Sequence, residues 1–469
     1  MARFKASRYN HFVPLGDGRE ITFNALSRSL EVLGQLDVAF LREVSQGEEQ
    51  DPDDARVARF AKASYVLLDE VDELGVVREM YATQRFKGSQ MTLTIMPTAA
   101  CNFGCDYCFQ GADKPQEWMS KEVQAQLSAF VEEKMPQLKN LSVTWYGGEP
   151  LLAMDVIRDV SKELSKVCQR HGVSFSAMVV TNGYRLTRAL ADELYELGVR
   201  VVQVTLDGPC EVHDQRRHLL GGQGTYKRIV DNLADAVGQT KMKYSVRVNV
   251  DSRDASRIGE LLEDLAGRGL NNRNNLSVYP APVESYTEGC HEVSEFIMNR
   301  EQYAQVEVDF LTQGRRLKLV GSPTPPLFSS QCGAIKASAY VVTPTGELHK
   351  CWNTVNEADK RVGSIFDSVE RLSEPNKNHD TWLSWTPFQD PICRTCSTLP
   401  LCSGNCAYKF IHADEMKTPD SRPCPSWKYN LPQKLVMLAV DRKLVPPGFA
   451  ISKLPARAEA PAPALAASP

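Results

Sequence analysis

The chain has 469 residues, 42% of them hydrophobic and 24% charged, with Lys+Arg 54 against Asp+Glu 58 for a net charge of −4. That length supports a sizeable core spread over roughly two or three domains, and the charge balance lacks the basic excess of a protein that tracks phosphate backbones, which argues against nucleic acid as a partner. Met1-Ala2-Arg3-Phe4-Lys5 is not followed by an apolar h-region and no apolar run is long enough to span a bilayer. A cytoplasmic protein without a membrane partner is therefore expected, and in that reducing compartment thirteen cysteines point to metal ligation rather than disulfides.

In the N-terminal segment, 1–88, Ser7 to Pro14 and Ile21 to Leu26 flank Gly16-Asp17-Gly18 and read as a β-hairpin with a Gly-rich turn. Helical patterns follow, and the acidic stretch Glu43 to Asp54, with Gly47 and Pro52, reads as an exposed loop. Two short strands followed by helices resemble the winged-helix element that captures leader peptides of ribosomally made peptides by strand addition to a sheet edge; a structural cap on the next domain is the alternative.

From Met91 to about Pro280, short β-rich runs alternate with helical patterns, the signature of βα units around a parallel sheet. Six strands are predicted: Met91 to Met96, Leu141 to Tyr146, Phe175 to Thr181, Val199 to Leu206, Lys243 to Val250 and Leu276 to Tyr279. Ser120 is the expected N-cap of a helix running to Met135, and Met154, Ile157, Val160, Leu164 and Val167 recur at helical spacing before His171-Gly172 ends the next. Cys168 shares that apolar face and is read as a core thiol. Every informative polar motif follows a strand's C-terminal end, where parallel α/β barrels build active sites.

The first such motif is Cys101-Asn102-Phe103-Gly104-Cys105-Asp106-Tyr107-Cys108, a Cys-x3-Cys-x2-Cys run. Three thiolates do not close a tetrahedral zinc site, and on a cubane iron-sulfur cluster they leave one iron without a protein ligand; a partial zinc knuckle is the alternative. The second is Trp145-Tyr146-Gly147-Gly148-Glu149-Pro150, in which glycines permit close backbone approach and the carboxylate complements an ammonium group. Together they resemble the radical S-adenosylmethionine (AdoMet) superfamily, including the aromatic Tyr107. The resemblance implies a partial (β/α)6 TIM-like barrel over 89–300, a [4Fe-4S] cluster on Cys101, Cys105 and Cys108 whose open iron is chelated by AdoMet, and AdoMet contacts from Tyr107, Gly147, Gly148, Glu149 and Pro150. Strand-end groups Thr181, Asn182, Thr205 and Arg247 are expected at its ribose and carboxylate, although Thr181-Asn182-Gly183 also reads as a turn and Arg247 as the partner of a surface carboxylate.

A second cysteine field follows: Cys332, thirteen residues, Gly346, four residues and Cys351, then Cys393-x2-Cys396-x5-Cys402-x3-Cys406 and Cys424. These seven match the SPASM pattern of auxiliary iron-sulfur modules, assigning 301–440 to a bridging region and SPASM domain; a zinc ribbon of Cys393, Cys396, Cys402 and Cys406 is the alternative. The resemblance implies one auxiliary cluster on Cys393, Cys396, Cys402 and Cys424 and another on Cys332, Cys351 and Cys406, hence three [4Fe-4S] clusters in all. Gly321 to Phe328 supplies no eighth cysteine, Cys290 and His291 lie far upstream, and an open auxiliary iron is expected. Residues 441–469, whose end from Ala458 to Pro469 is mostly Ala and Pro, are expected to be a disordered tail.

The family's chemistry implies a radical peptide maturase that installs an oxidative crosslink (thioether, C–C or C–O) in a ribosomal precursor peptide carrying a leader, with flavodoxin or ferredoxin as electron donor. A peptide epimerase and a formylglycine-generating sulfatase maturase are the enzymatic alternatives, and a zinc-binding or leader-binding scaffold is the non-enzymatic one. Sulfatase-maturing relatives place an Asp base soon after the second cysteine of this field, where Cys351 is here followed by Trp352-Asn353-Thr354.

Overall fold

The computed structural model describes residues 3–449 apart from 49, 112–113, 327, 329–330, 369–370, 373 and 416–421. The tail expected from Ala458 to Pro469 and the side chain of His291 lie outside the described residues. The N-terminal segment forms β1 (Phe4–Ala6), β2 (Asn10–Pro14), β3 (Glu20–Asn24), β4 (Leu30–Leu33) and β5 (Val66–Leu68), with helices Gln35–Ser45, Ala55–Lys62 and Glu73–Arg85. The expected hairpin is β2–β3, turning at Gly16 and Gly18, both at positive φ, and β4 extends it beyond the predicted pair into a three-stranded antiparallel sheet. Residues 43–45, expected in a loop, complete the first helix because Val38, Leu41 and Val44 put a buried stripe on it.

The central sheet carries β6 (Gln90–Ile95), β7 (Asn140–Trp145), β8 (Ser174–Thr181), β9 (Val199–Leu206), β10 (Lys243–Val250) and β11 (Leu276–Pro282), all parallel and in sequential order. Met91, Leu93 and Ile95 on β6 share a core with Leu127, Phe130 and Leu164 of the flanking helices, while the alternate Thr92 and Thr94 are half-buried. The period of two thus turns a helix-covered apolar face outward and leaves a polar face, on which Tyr279 donates to Gln203 Oε1 at 2.9 Å. Ser120 caps helix Lys121–Lys134 by accepting from Val123 N, and helix Met154–His171 ends at Gly172 in the left-handed conformation. Cys168 is buried in the same core, as expected.

Three strands of the C-terminal region were not foreseen. β12 (Ala339–Val342) pairs parallel to β6, with Ala339 opposite Thr92 and Val342 opposite Ile95, and β13 (Glu347–His349) and β14 (Gly363–Ser364) follow antiparallel. The six-strand expectation is therefore extended: a seventh parallel strand from the C-terminal region completes the β6 edge, and the sheet stays open between β11 and β14. The N-terminal sheet packs against the C-terminal cysteine region, since Tyr9, Ile21 and Phe23 share a core with Ile335, Leu399, Leu401 and Leu435. Arg85 reinforces the contact by donating to Ile335 O at 2.9 Å and Leu383 O at 2.8 Å.

Candidate functional site

The loops after β6 and β7 interlock at the C-terminal end of the sheet. Gly148 N donates to Thr98 O at 3.1 Å and Glu149 N to Ala100 O at 2.9 Å, so the Gly-Gly-Glu strand end is bonded to the residues leading into Cys101. Glycine is required there: a Cβ on Gly148 would stand 2.1 Å from Ala100 O and 2.4 Å from Ala99 O, and one on Gly147 2.5 Å from Thr98 O. Glu149, 1% exposed, accepts from Leu151 N (2.9 Å), Thr181 Oγ1 (2.6 Å) and Asn182 N (2.7 Å). Burial raises its carboxyl, and those three hydrogen bonds oppose the rise. The sequence-predicted Glu149, Thr181 and Asn182 are thus one hydrogen-bonded unit joining the ends of β7 and β8, and Asn182 Nδ2 reaches Asn102 Oδ1 in the cysteine loop at 2.9 Å.

Tyr107 is the opposite pillar. Its phenol oxygen accepts from Arg217 Nη1 at 2.5 Å and Asn249 Nδ2 at 3.0 Å, and Asn249 in turn accepts from Arg247 Nε at 2.8 Å. Arg247 and Thr205 are register partners on β10 and β9. Burial raises the Tyr107 hydroxyl well above its ordinary range, and it pushes the thiols of Cys101 and Cys105 up to about 12 and about 11. Free thiols there are held protonated, and nearby cations or a bound metal are what stabilise buried thiolates.

Behind this loop lies a charge cluster that sequence reasoning did not find. Arg216 stands 3.3 Å from both Asp251 and Asp254, 3.6 Å from Asp207 and 4.0 Å from Asp106, and Arg253 bonds Asp106 at 3.1 Å and Asp251 at 2.5 Å. Arg216 also lies over the Tyr107 ring at 5.2 Å. The available signal was the run His213-Asp214-Gln215-Arg216-Arg217 shortly after the strand-end Asp207-Gly208-Pro209; its importance emerges only once Asp251 and Asp254 fold onto it.

The seven C-terminal cysteines divide by electrostatic neighbourhood. After burial, which carries Cys402 up to about 12, its thiol is raised by Cys396, Cys393 and Cys424, and Cys393, also at about 12, by Asp390, Cys424 and Cys396. Cys351, raised chiefly by burial, feels Cys332 and Cys406, and Cys406, at about 11, feels Cys332. Among the described residues no trio of His, Cys, Asp or Glu converges on a single-ion position. Aromatic rings connect the two cysteine regions: Phe109, next to Cys108, stacks on Tyr146 at 5.8 Å, and Tyr146 meets Trp352, next to Cys351, at 5.2 Å. Cys290 is buried, with Thr287 Oγ1 at 3.4 Å from its sulfur and the same hydroxyl donating to Phe109 O.

Comparison with known proteins agrees with this geometry. Residues 95–246 match the radical SAM superfamily. The chain is similar to a serine-type anaerobic sulfatase-maturating enzyme of Klebsiella aerogenes (23% identity over 66% of this chain and 77% of the relative) and to the mycofactocin maturase MftC of Mycolicibacterium smegmatis (25%, 73% and 85%). Among solved structures it shares the fold of native anSMEcpe with bound AdoMet and Cp18Cys peptide (20% identity, 76% of this chain, 98% of the other, TM-score 0.55) and of Streptococcus suis SuiB bound to precursor peptide SuiA (13%, 90%, 99%, 0.51). With its cysteine loop and Gly-Gly-Glu strand end interlocked at the end of a parallel α/β sheet, the chain carries a radical SAM domain over residues 95–246.

Proposed function

We propose that the protein is a peptide maturase that forms an oxidative crosslink in a ribosomally made precursor peptide, with a SPASM-type C-terminal module and a winged-helix-like N-terminal one. The observation that carries this reading is the division of the C-terminal cysteines into Cys393/Cys396/Cys402/Cys424 and Cys332/Cys351/Cys406, in a chain similar to maturases such as MftC. Four thiols suit a fully ligated cluster and three leave an iron open.

Cys101, Cys105 and Cys108 would hold the first [4Fe-4S] cluster, and their donor set of three half-buried thiols fits it. When bound, that cluster and AdoMet would supply radical chemistry, the cluster giving one electron for the reductive cleavage of AdoMet. The chain's residues position the reactants. The Gly147-Gly148 backbone lies against the cysteine loop without side chains between them, Glu149 fixes the Thr181-Asn182 turn, and Arg247 through Asn249 fixes Tyr107. The two auxiliary cysteine sets would hold iron-sulfur clusters, which would supply an acceptor for the second electron of an oxidative bond formation.

A formylglycine-generating reading is the second, favoured by similarity to sulfatase-maturating enzymes. Against it stands Trp352-Asn353-Thr354 directly after Cys351, with Trp352 seated on Tyr146. The test is anaerobic co-expression with a candidate precursor peptide, followed by mass spectrometry and fragmentation. Crosslinking predicts a loss of about two hydrogens per event with fragments missing between the joined residues. An aldehyde trapped by hydrazide would establish formylglycine instead, and unchanged mass with solvent deuterium incorporated would establish epimerisation.

A further inference from the structure

Two buried side chains of opposite charge flank the cysteine loop without being assigned a part in AdoMet binding. Arg217, 7% exposed, donates through Nη1 to Tyr107 at 2.5 Å and lies over the Phe103 ring at 5.7 Å, so it is held by the residues on either side of Cys105. Its Nε is buried without a hydrogen-bond partner and stands 3.9 Å from Asp207 Oδ1. Asp207 is fully buried, neither of its oxygens accepts a hydrogen bond in the structure, and it also stands 3.6 Å from the cation Arg216. Arg216 in turn stands 4.0 Å from Asp106 and lies over the Tyr107 ring at 5.2 Å, so Asp207 too is tied to the segment around Cys105.

Charges buried away from solvent act more strongly on their neighbours than exposed ones, because water and salt screen them less. The potential of an iron-sulfur cluster follows the net charge and hydrogen bonding around its sulfurs. A buried cation favours the reduced state, which carries one more electron, and a buried anion disfavours it. We propose that Arg217 and Asp207 form an opposed pair that sets the reduction potential of the cluster on Cys101, Cys105 and Cys108, Arg217 raising it and Asp207 lowering it. Both are positioning residues. The step they govern is a one-electron reduction with no bond made or broken, the electron coming from a low-potential donor protein or, in vitro, from dithionite. This inference rests on the cluster reading above.

The test uses the full chain, reconstituted anaerobically with iron and sulfide and titrated with dithionite through a series of poised potentials. The signal followed is the paramagnetic one that AdoMet perturbs, which reports this cluster and not an auxiliary one. Arg217→Gln should move the midpoint to more negative potential and Asp207→Asn to more positive, whereas Arg217→Lys, which keeps the charge, should stay near the parent. The double variant R217Q/D207N should return most of the way. A merely structural role would move both single variants in the same direction or lose iron from both, and either result overturns the proposal. So does an unchanged midpoint in R217Q with AdoMet affinity lost, which would give Arg217 to the AdoMet carboxylate. A parent chain with no AdoMet-sensitive signal dependent on Cys101 would instead overturn the cluster reading, and the pair's role with it; iron analysis separates the two failures.

Discussion

Replacing Gly148 by alanine tests the interlock on which the site depends. The added Cβ would sit 2.1 Å from Ala100 O, 2.4 Å from Ala99 O and 2.5 Å from Ala100 C, all of them main-chain atoms of the segment entering Cys101. No flexible side-chain end is available to yield, so the loops must part. Overpacking costs about 1–3 kcal/mol. Separation also breaks Gly148 N to Thr98 O and Glu149 N to Ala100 O, at about 1 kcal/mol each, for a total of about 3–5 kcal/mol. Gly172→Ala is the control: that residue has φ +65 and nothing within 4 Å of an added Cβ, so it incurs only the left-handed backbone cost of about 1–2 kcal/mol. Urea denaturation of both variants gives the comparison, and AdoMet binding should fail in G148A and persist in G172A. A Gly148→Ala variant no less stable than Gly172→Ala, with AdoMet binding intact, would refute the close-approach argument.

Burial raises Asp254 to about 6, against the opposing Arg216. The native state then holds a proton that the unfolded chain has already released above its ordinary value of 3.8, so this group's contribution to stability is present below that value and lost as pH rises through about 6. The stability difference between the parent and Asp254→Asn should therefore decrease across that window, and a flat or rising difference contradicts it. In the C-terminal region, Cys424→Ala and Cys406→Ala should each lower bound iron by about four equivalents. Their losses should add in the double variant, whereas Cys406→Ala with Cys351→Ala should lose no more than Cys406→Ala alone; additivity within the latter pair would break the proposed division.

Much of the parallel α/β sheet was legible in the sequence because its strands are apolar runs punctuated at their C-terminal ends by Cys, Gly and Asn, and because Ser120 and Gly172 mark helix boundaries through local chemistry. β12 was not legible: Ala339 to Val342 is a four-residue run whose role comes from pairing with Thr92 to Ile95, almost 250 residues away. β4 was missed for a related reason, since Leu30 to Leu33 is defined by its ladder to β3. In the site, strand-end position and the resemblance to radical AdoMet enzymes singled out Cys101, Glu149, Thr181 and Arg247. It did not reveal that Glu149 accepts three protein donors, nor that Arg216 gathers Asp106, Asp207, Asp251 and Asp254 from three segments, because such a cluster exists only after the strands are laid side by side.

The central claim is tested most directly by incubating the anaerobically reconstituted chain with AdoMet and dithionite and measuring 5'-deoxyadenosine and methionine, with a triple alanine variant at Cys101, Cys105 and Cys108 alongside. Both products are expected in equal amounts from the parent chain and neither from the variant. Intact AdoMet in both samples, with iron bound to the parent, would contradict the assignment of this chain's cysteine loop to AdoMet cleavage.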